Sequence, residues 1–530
     1  MWWERAGSHL SNAGFDASAV FSAEKHASAV AELGGALGSI ERAQHALLSL
    51  LLEVEPEATT SWLAELVYRN RGVSRNLKPM GLSMRSALIN IFFALADIVF
   101  PDGPQSAAAA AASFPLHYFV RDDANDAHGM IVPDVDRVSG MISHLRKAVP
   151  APDDECDADV AASLGIRSAL LLDALVLLYV DGLALQAKAS LIETQELRQA
   201  LLDLDDKLAL RLARSLGASP SRLFHAIEAA ARKVSWSSLV VHTKAKSDAI
   251  FAFHHFLASL LERASPAAIA VAHNAAAAKD DEPGSGWPPP SWELAYLPAL
   301  YLDAAVDAFH LLRRAIEPYP LVETGHQCLV FLQWTVAHFS DRRIHNPDLR
   351  DLLLQSLSLL LQYEEFVELL ESDLFTASYL VPRLLAAYDD RFWVTVTITT
   401  MLLRIFKGTG FGSRALRKRG KRSTPRYRLP DPQANVASPL FQAAFVASYL
   451  NAPDLLSLFV NTAFNSLNWS LTELSVALDQ HLALRAAGEL HSSTRKLGVM
   501  FALAVNLLRV LEFTASYLPQ LFAEEACGEV

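Results

Sequence analysis

The chain of 530 residues is poor in cysteine: Cys156, Cys328 and Cys527 lie far apart, and none belongs to a CxxC pair. A disulfide scaffold is excluded. So is a complete RING-type zinc module within these residues, because such a module binds two metals with about four Cys or His ligands each. Long apolar runs are also missing. Residues 169–180, 87–100 and 497–511 each fall short of the roughly 18–20 residues a membrane span needs. Each also carries a charge, at Asp173, Asp97 and Arg509 respectively, so burial in a core is the expected use. Positive charge is in the minority, with 46 Lys and Arg against 58 Asp and Glu, and a net charge of −12 argues against a general nucleic-acid binder.

Catalytic motifs are absent in the same way. There is no GxSxG, no P-loop and no GxGxxG with a strand before it and a helix after it. The one glycine-rich stretch, Gly408-Thr-Gly-Phe-Gly, follows a helical pattern and reads as a helix stop. Adjacent His254 and His255 point about 100° apart on a helix, so they read as core histidines rather than metal ligands. The acidic stretch from Asp122 to His128 lacks the alternating ligand spacing of a calcium loop. No cofactor is expected.

The opening MWWERAGSHL lacks the order of a secretory signal, and its two tryptophans read as the interior of something longer. With little cysteine and no span, the expected location is cytoplasmic, with the nucleus a second compartment that a basic run would permit.

What is present is helical periodicity. Leu349, Leu352, Leu353, Leu357, Leu360 and Leu361 recur at three- and four-residue steps, as do Leu497, Phe501, Val505 and Leu508. Asn346 before Pro347 predicts an N-cap followed by proline at the first helical position. Residues 394–399 alternate Val and Thr in the manner of a strand, yet they run without a turn into Met401-Leu-Leu-Arg-Ile-Phe and are assigned to a helix. Trp469, beside Leu467 and Leu471, is expected to be buried. The predicted fold is all-α, an irregular multi-helix bundle or α-solenoid-like stack in two parts.

Three breaks divide the pattern: residues 101–136, the Pro/Gly-rich stretch 279–290, and residues 408–439. They predict an N-terminal helical region (1–278), a linker (279–290) and a C-terminal helical core (291–530) with a basic loop at 408–439. No fixed repeat of 30–50 residues is evident, although an irregular helical stack stays open.

The basic loop is the sharpest local signal. Arg414, Arg417, Lys418, Arg419, Lys421, Arg422, Arg426 and Arg428 fall within 15 residues that contain no acid, which leaves the rest of the chain near −20. Arg414, Arg417, Lys418, Arg419, Lys421 and Arg422 are the candidate partner-binding residues, suited to an acidic protein surface. Only Tyr427 interrupts them, so there is no stacking platform for single-stranded nucleic acid.

Several segments resemble one family. They are YLDAAVDAFHLLRR (301–314), DLRDLLLQSLSLLLQYEE (348–365), LLAAYDDRFW (384–393), FKGTGF (406–411), FVNTAFNSLNWSLTEL (459–474) and LLRVLEF (507–513). These look like the C-terminal half of the large SPRY- and RING-containing ubiquitin ligases, the RKP type of plants and the catalytic subunit of the animal Kip ubiquitylation-promoting complex. The resemblance is specific over about 292–521; before that, GMISHLRK (140–147) is the best match. The helix around Asn461 and Asn468 also resembles the core of ubiquitin chain-elongation factors. The SPRY sandwich and the RING that characterise the family have no counterpart among these residues, so no catalytic ligand carries over.

The resemblance implies a non-catalytic helical scaffold that positions substrate or partner subunits for ubiquitin transfer. Its partners would be ubiquitin-pathway proteins, including a conjugating enzyme held by a RING supplied elsewhere. No ubiquitin chain formation is expected from residues 1–530 alone. The alternative is an autonomous helical adaptor that binds an acidic partner and has no part in ubiquitin transfer.

Overall fold

The computed structural model describes residues 23–70, 85–119, 141, 159–205, 220–267, 291–314, 319–341, 343–344, 346–361, 363–388, 391–407, 437–486 and 493–523. Among them there are helices and no strand. They form two compact units. The first gathers the described residues up to Ala264 together with those of Trp292–Leu321; the second gathers the described residues of Ser265–Ser291 and those from Val322 onward. The predicted linker at 279–290 lies outside the described residues.

The first unit contains α1 (Ala23–Val54), α2 (Pro56–Asn70), α3 (Arg85–Val99), α4 (Pro104–Ser113), α5 (Asp159–Leu178), α6 (Ala184–Asp205), α7 (Pro220–Val241), α8 (Lys244–Ala264), α9 (Trp292–Tyr296) and α10 (Ala299–Arg314). Its axis is α8. Residues 250–258 of this helix, from Ile250 through His254 and His255 to Ala258, are buried without a break. A helix apolar all round has neighbours on every side, and α8 packs on α3, α4 and α10. Residues 101–136, expected to be a break, begin instead with α4, because Pro104 suits a first helical turn and the alanines after it have high helix propensity. Arg263 near the end of α8 caps α4, its Nη1 donating to the carbonyls of Ala111 and Phe114 at 2.9 and 2.7 Å.

Between α5 and α6 the chain widens into a π-helical turn, Tyr179–Leu183. Gly182 in this turn lies against α3 so closely that a Cβ there would meet Leu88 Cβ at 3.0 Å. Tyr179, Phe92 and Phe253 form an aromatic knot beside it, with ring centroids 4.8–5.8 Å apart. Nearly two turns before the π segment, the buried Asp173 accepts hydrogen bonds from Tyr118 Oη at 2.9 Å and Tyr301 Oη at 3.0 Å, one on each carboxylate oxygen. Those two donors are what let a carboxylate sit inside an apolar core.

Helical structure extends beyond the apolar runs seen in the sequence. Arg167–Thr194 and Lys496–Tyr517 are therefore long and apolar enough to cross a membrane by length and composition, which corrects the expectation that every run is too short. In the first of these, 67% of the apolar window is buried inside the fold.

The second unit contains α11 (His326–His338), α12 (Pro347–Leu360), α13 (Glu364–Ser372), α14 (Leu374–Ala386), α15 (Phe392–Lys407), α16 (Pro439–Asn451), α17 (Pro453–Ala486), α18 (Ser493–Tyr517) and α19 (Gln520–Ala523). Asn346 caps α12 as the sequence predicts, accepting from the Asp348 N–H at 2.9 Å with Pro347 at the first position. The Val/Thr stretch is helical within α15, and Val394, Thr395, Ile398 and Thr399 are buried. Phe406 of α15 stacks on Phe513 of α18 at 4.1 Å and meets Phe445 of α16 at 4.8 Å, which ties three helices together.

A polar cluster holds the turn after α11. His338 donates from Nδ1 to the Trp334 carbonyl at 2.9 Å, stacks on Trp334 at 4.3 Å, and its Nε2 faces Ser265 Oγ at 3.0 Å. Asp341 is fully buried and accepts from Arg343 Nε and Nη2 at 3.0 and 2.7 Å. Arg383 of α14 stands beside this pair. Burial lowers its pKa to about 10, with Asp341 acting in the opposite sense.

Candidate protein-interaction surfaces

Two long helices in the second unit carry exposed apolar surface in a regular pattern. On α17, Leu456, Val460, Ala463, Leu467, Ser470 and Ala477 are buried at steps of three, four or seven residues; on α18, Met500, Leu503, Leu507, Val510 and Thr514 do the same. This is the seam of an antiparallel, coiled-coil-like pair. The residues immediately after seam positions are large, apolar and open to solvent. Phe464, Leu471 and Leu478 are each 45% exposed, and Phe501 and Leu508 are 60% and 50% exposed. They repeat every seven residues, so on each helix they form a straight stripe about 100° round from the seam. The rotation has the same sense on both helices, and in an antiparallel pair this puts both stripes on one side.

Trp469 corrects an expectation: it is 45% exposed. The seam passes through Leu467 and Ser470 instead. The small Ser470 is fully buried and donates to the Leu467 carbonyl at 2.8 Å, and Trp469, about 100° round the helix from it, points away from the seam. Trp469 meets Phe392 at 5.7 Å, and Phe392 meets the exposed Trp393 at 4.8 Å, so three aromatic rings share a second patch. An amphipathic count on α17 could have found the seam, but two apolar stripes on one helix cannot be told apart by hydrophobicity alone.

The first unit has a polar cavity of about 380 Å³ between α1, α3 and the start of α8. Its lining includes Glu41, His45, Asn90, Phe93, Asp97 and Lys246. Lys246, itself buried, bonds Glu41 Oε1 at 2.6 Å and the Leu239 carbonyl at 2.8 Å, and lies 5.4 Å from the centre of the Phe93 ring. Neither periodicity nor motif could reveal this cavity, since its residues come from three helices spread over about 200 positions of sequence.

None of this resembles an active site. The fully buried Cys328 thiol has its pKa pushed up to about 12 by burial, the opposite of what a nucleophile needs. His254 and His255 are core residues; His254 Nδ1 donates to the Ala305 carbonyl at 3.0 Å. Among the described residues, no group of three or more His, Cys, Asp or Glu side chains is placed to hold a metal ion. The six candidate partner-binding residues, Arg414, Arg417, Lys418, Arg419, Lys421 and Arg422, lie outside the described residues, as do the Gly408 stretch and Cys527.

Known proteins are similar to this chain along most of its length. A family model described as the ubiquitin elongating factor core matches residues 8–391. A second, described as RNF123-like, TPR repeat, matches 457–529, the segment that holds the two striped helices. The E3 ubiquitin-protein ligase RKP of Arabidopsis thaliana is 38% identical over 229 residues, which are 43% of this chain and 16% of that protein. The chain thus matches only a minor part of the length of that relative. The first model covers well over half of the chain. The chain belongs to the ubiquitin elongating factor core family, and its helical region is RKP-like.

Proposed function

We propose that residues 1–530 serve as a non-catalytic helical scaffold in RING-dependent ubiquitin ligation, holding a substrate or partner subunit while a RING from elsewhere engages the conjugating enzyme. The family supports a role in the ubiquitin pathway. The observation that carries the scaffold reading is the double stripe of Phe464, Leu471, Leu478, Phe501 and Leu508. Large exposed apolar surface is costly to leave in water and marks interaction sites. Seven-residue spacing is the register in which a third amphipathic helix packs. The scaffold acts by proximity, raising the local concentration of the acceptor at the thioester. We place it in the cytoplasm on the grounds of its sparse cysteine.

The test is an in-vitro ubiquitylation gel with activating and conjugating enzymes. Residues 1–530 alone are expected to give no chains, and a zinc chelator is expected to change nothing. Robust chelator-insensitive chains from this protein alone would overturn the non-catalytic assignment.

A further inference from the structure

We propose that α1 is a self-association helix, through which two copies of this chain pair in antiparallel register. α1 packs on α2, α3 and α7, and its opposite face is exposed. That face carries an unbroken heptad seam. At one seam position stand Leu33, Ile40, Leu47 and Val54, which are 49%, 54%, 57% and 63% exposed. At the other stand Ala29, Ala36, Ala43 and Leu50, all exposed as well. The seam is therefore apolar at every position from Ala29 to Val54, about 38 Å of helix at a rise of about 1.5 Å per residue. Apolar residues at both seam positions over more than three heptads are the pattern of a coiled-coil strand, and the described residues leave this one bare.

The sizes of the seam residues select the occupant. In an antiparallel pair, each residue of one seam position faces a residue of the other position. Setting Ile40 against Ala43 of the second copy then places Ala36 against Leu47, Leu33 against Leu50 and Ala29 against Val54, and the two-fold axis repeats each combination. All but one of these combinations join a large side chain to alanine, so the seam keeps a nearly even width, as close packing requires. A parallel pair would stack Ala36 on Ala36 and Ala43 on Ala43 between wider layers of leucine and isoleucine, leaving hollows at both. The seam is thus complementary to itself read backwards. Its solvent-side flank consists of Glu32, Ser39, Ala46 and Glu53. The antiparallel register brings Glu32 near Glu53 of the second copy, a mild repulsion between exposed carboxylates that salt screens. Counting about half of roughly 30 Å² for each seam methyl or methylene, the pair buries on the order of 300–400 Å² a side. That is under the roughly 800 Å² a side of a tight complex, so the dimer is weak and concentration-dependent.

The test is sedimentation equilibrium of the whole chain from about 5 to about 200 µM, with circular dichroism to check folding. A monomer–dimer equilibrium with a Kd on the order of 10–100 µM is expected. Leu47→Glu alters an exposed position, so it should fold normally and weaken the dimer at least about tenfold. Glu53→Lys should tighten it about threefold, because the introduced lysine then meets Glu32 of the second copy. Adding Glu32→Lys to Glu53→Lys restores like charges and should return the Kd toward that of the unmodified chain. A parallel pair would show no such reversal. A monomer at every concentration, or an assembly larger than a dimer, would overturn the proposal without recourse to any variant. A dimer undiminished in folded Leu47→Glu, or unmoved by Glu53→Lys, would overturn it too. Because α1 lies in the first unit and the striped helices lie in the second, failure here leaves the scaffold reading intact.

Discussion

Single residues in this protein are decided by whether a polar group finds a partner inside an apolar frame. His338 is neutral for a geometric reason. Its Nδ1–H donates to the Trp334 carbonyl, so its unprotonated Nε2 can accept from Ser265. Burial is the main force lowering its pKa to about 4, and that of His254 to about 3. A histidine whose folded pKa lies below its unfolded value of about 6.5 stabilises fully above that value. Below it the unfolded chain takes up the proton first, so stability falls as pH drops from about 6.5 toward 4. Melting temperatures across pH 7.5 to 4.5 should show this decline, and His338→Gln should make it shallower, with His254 and His242 supplying the remainder. An unchanged slope in the variant would show that another group is responsible. Leu353, fully buried in α12, tests the core itself. Leu353→Asp leaves an unpaired charge in an apolar site and is expected to cost on the order of 4 kcal/mol. Urea denaturation with an unchanged midpoint would contradict the burial.

At the scale of elements, packing overrides local preference at the π-helical turn. Alanine is favoured over glycine by about 1 kcal/mol in a helix, so Gly182→Ala would be expected to help. It would instead press a Cβ to 3.0 Å from Leu88 Cβ, an atom fixed to the α3 backbone and unable to swing away. Overpacking of this kind costs about 1–3 kcal/mol, and the substitution is expected to lower stability overall. A rise in melting temperature would show that α3 can shift.

The same contrast explains how much could be read from the sequence. Helix class, the Asn346 cap and the helical state of the Val/Thr stretch were legible because they depend on neighbours within one or two turns. The direction of Trp469 was not, because it depends on which of two apolar stripes of α17 meets α18. Nor was α4 legible, where proline and glycine mark a boundary that a helix follows at once. The polar cavity was beyond reach, since its lining converges only when three distant helices pack.

On the scale of the whole molecule, the account rests on helices that leave apolar faces uncovered while offering no activated nucleophile among the described residues. The striped pair on α17 and α18 is the part of the molecule on which that account depends. Replacing Phe501 and Leu508 by serine together removes exposed apolar area, so folding stability should change by no more than about 1 kcal/mol. The decisive measurement is substrate ubiquitylation driven by a separate RING protein, compared without the chain, with residues 1–530, and with the Phe501→Ser/Leu508→Ser double variant. The scaffold account predicts at least about tenfold stimulation by the unmodified chain and loss of most of it in a variant that melts normally. A folded variant that stimulates as well as the unmodified chain would contradict it, as would an unmodified chain that leaves the RING-driven rate unchanged.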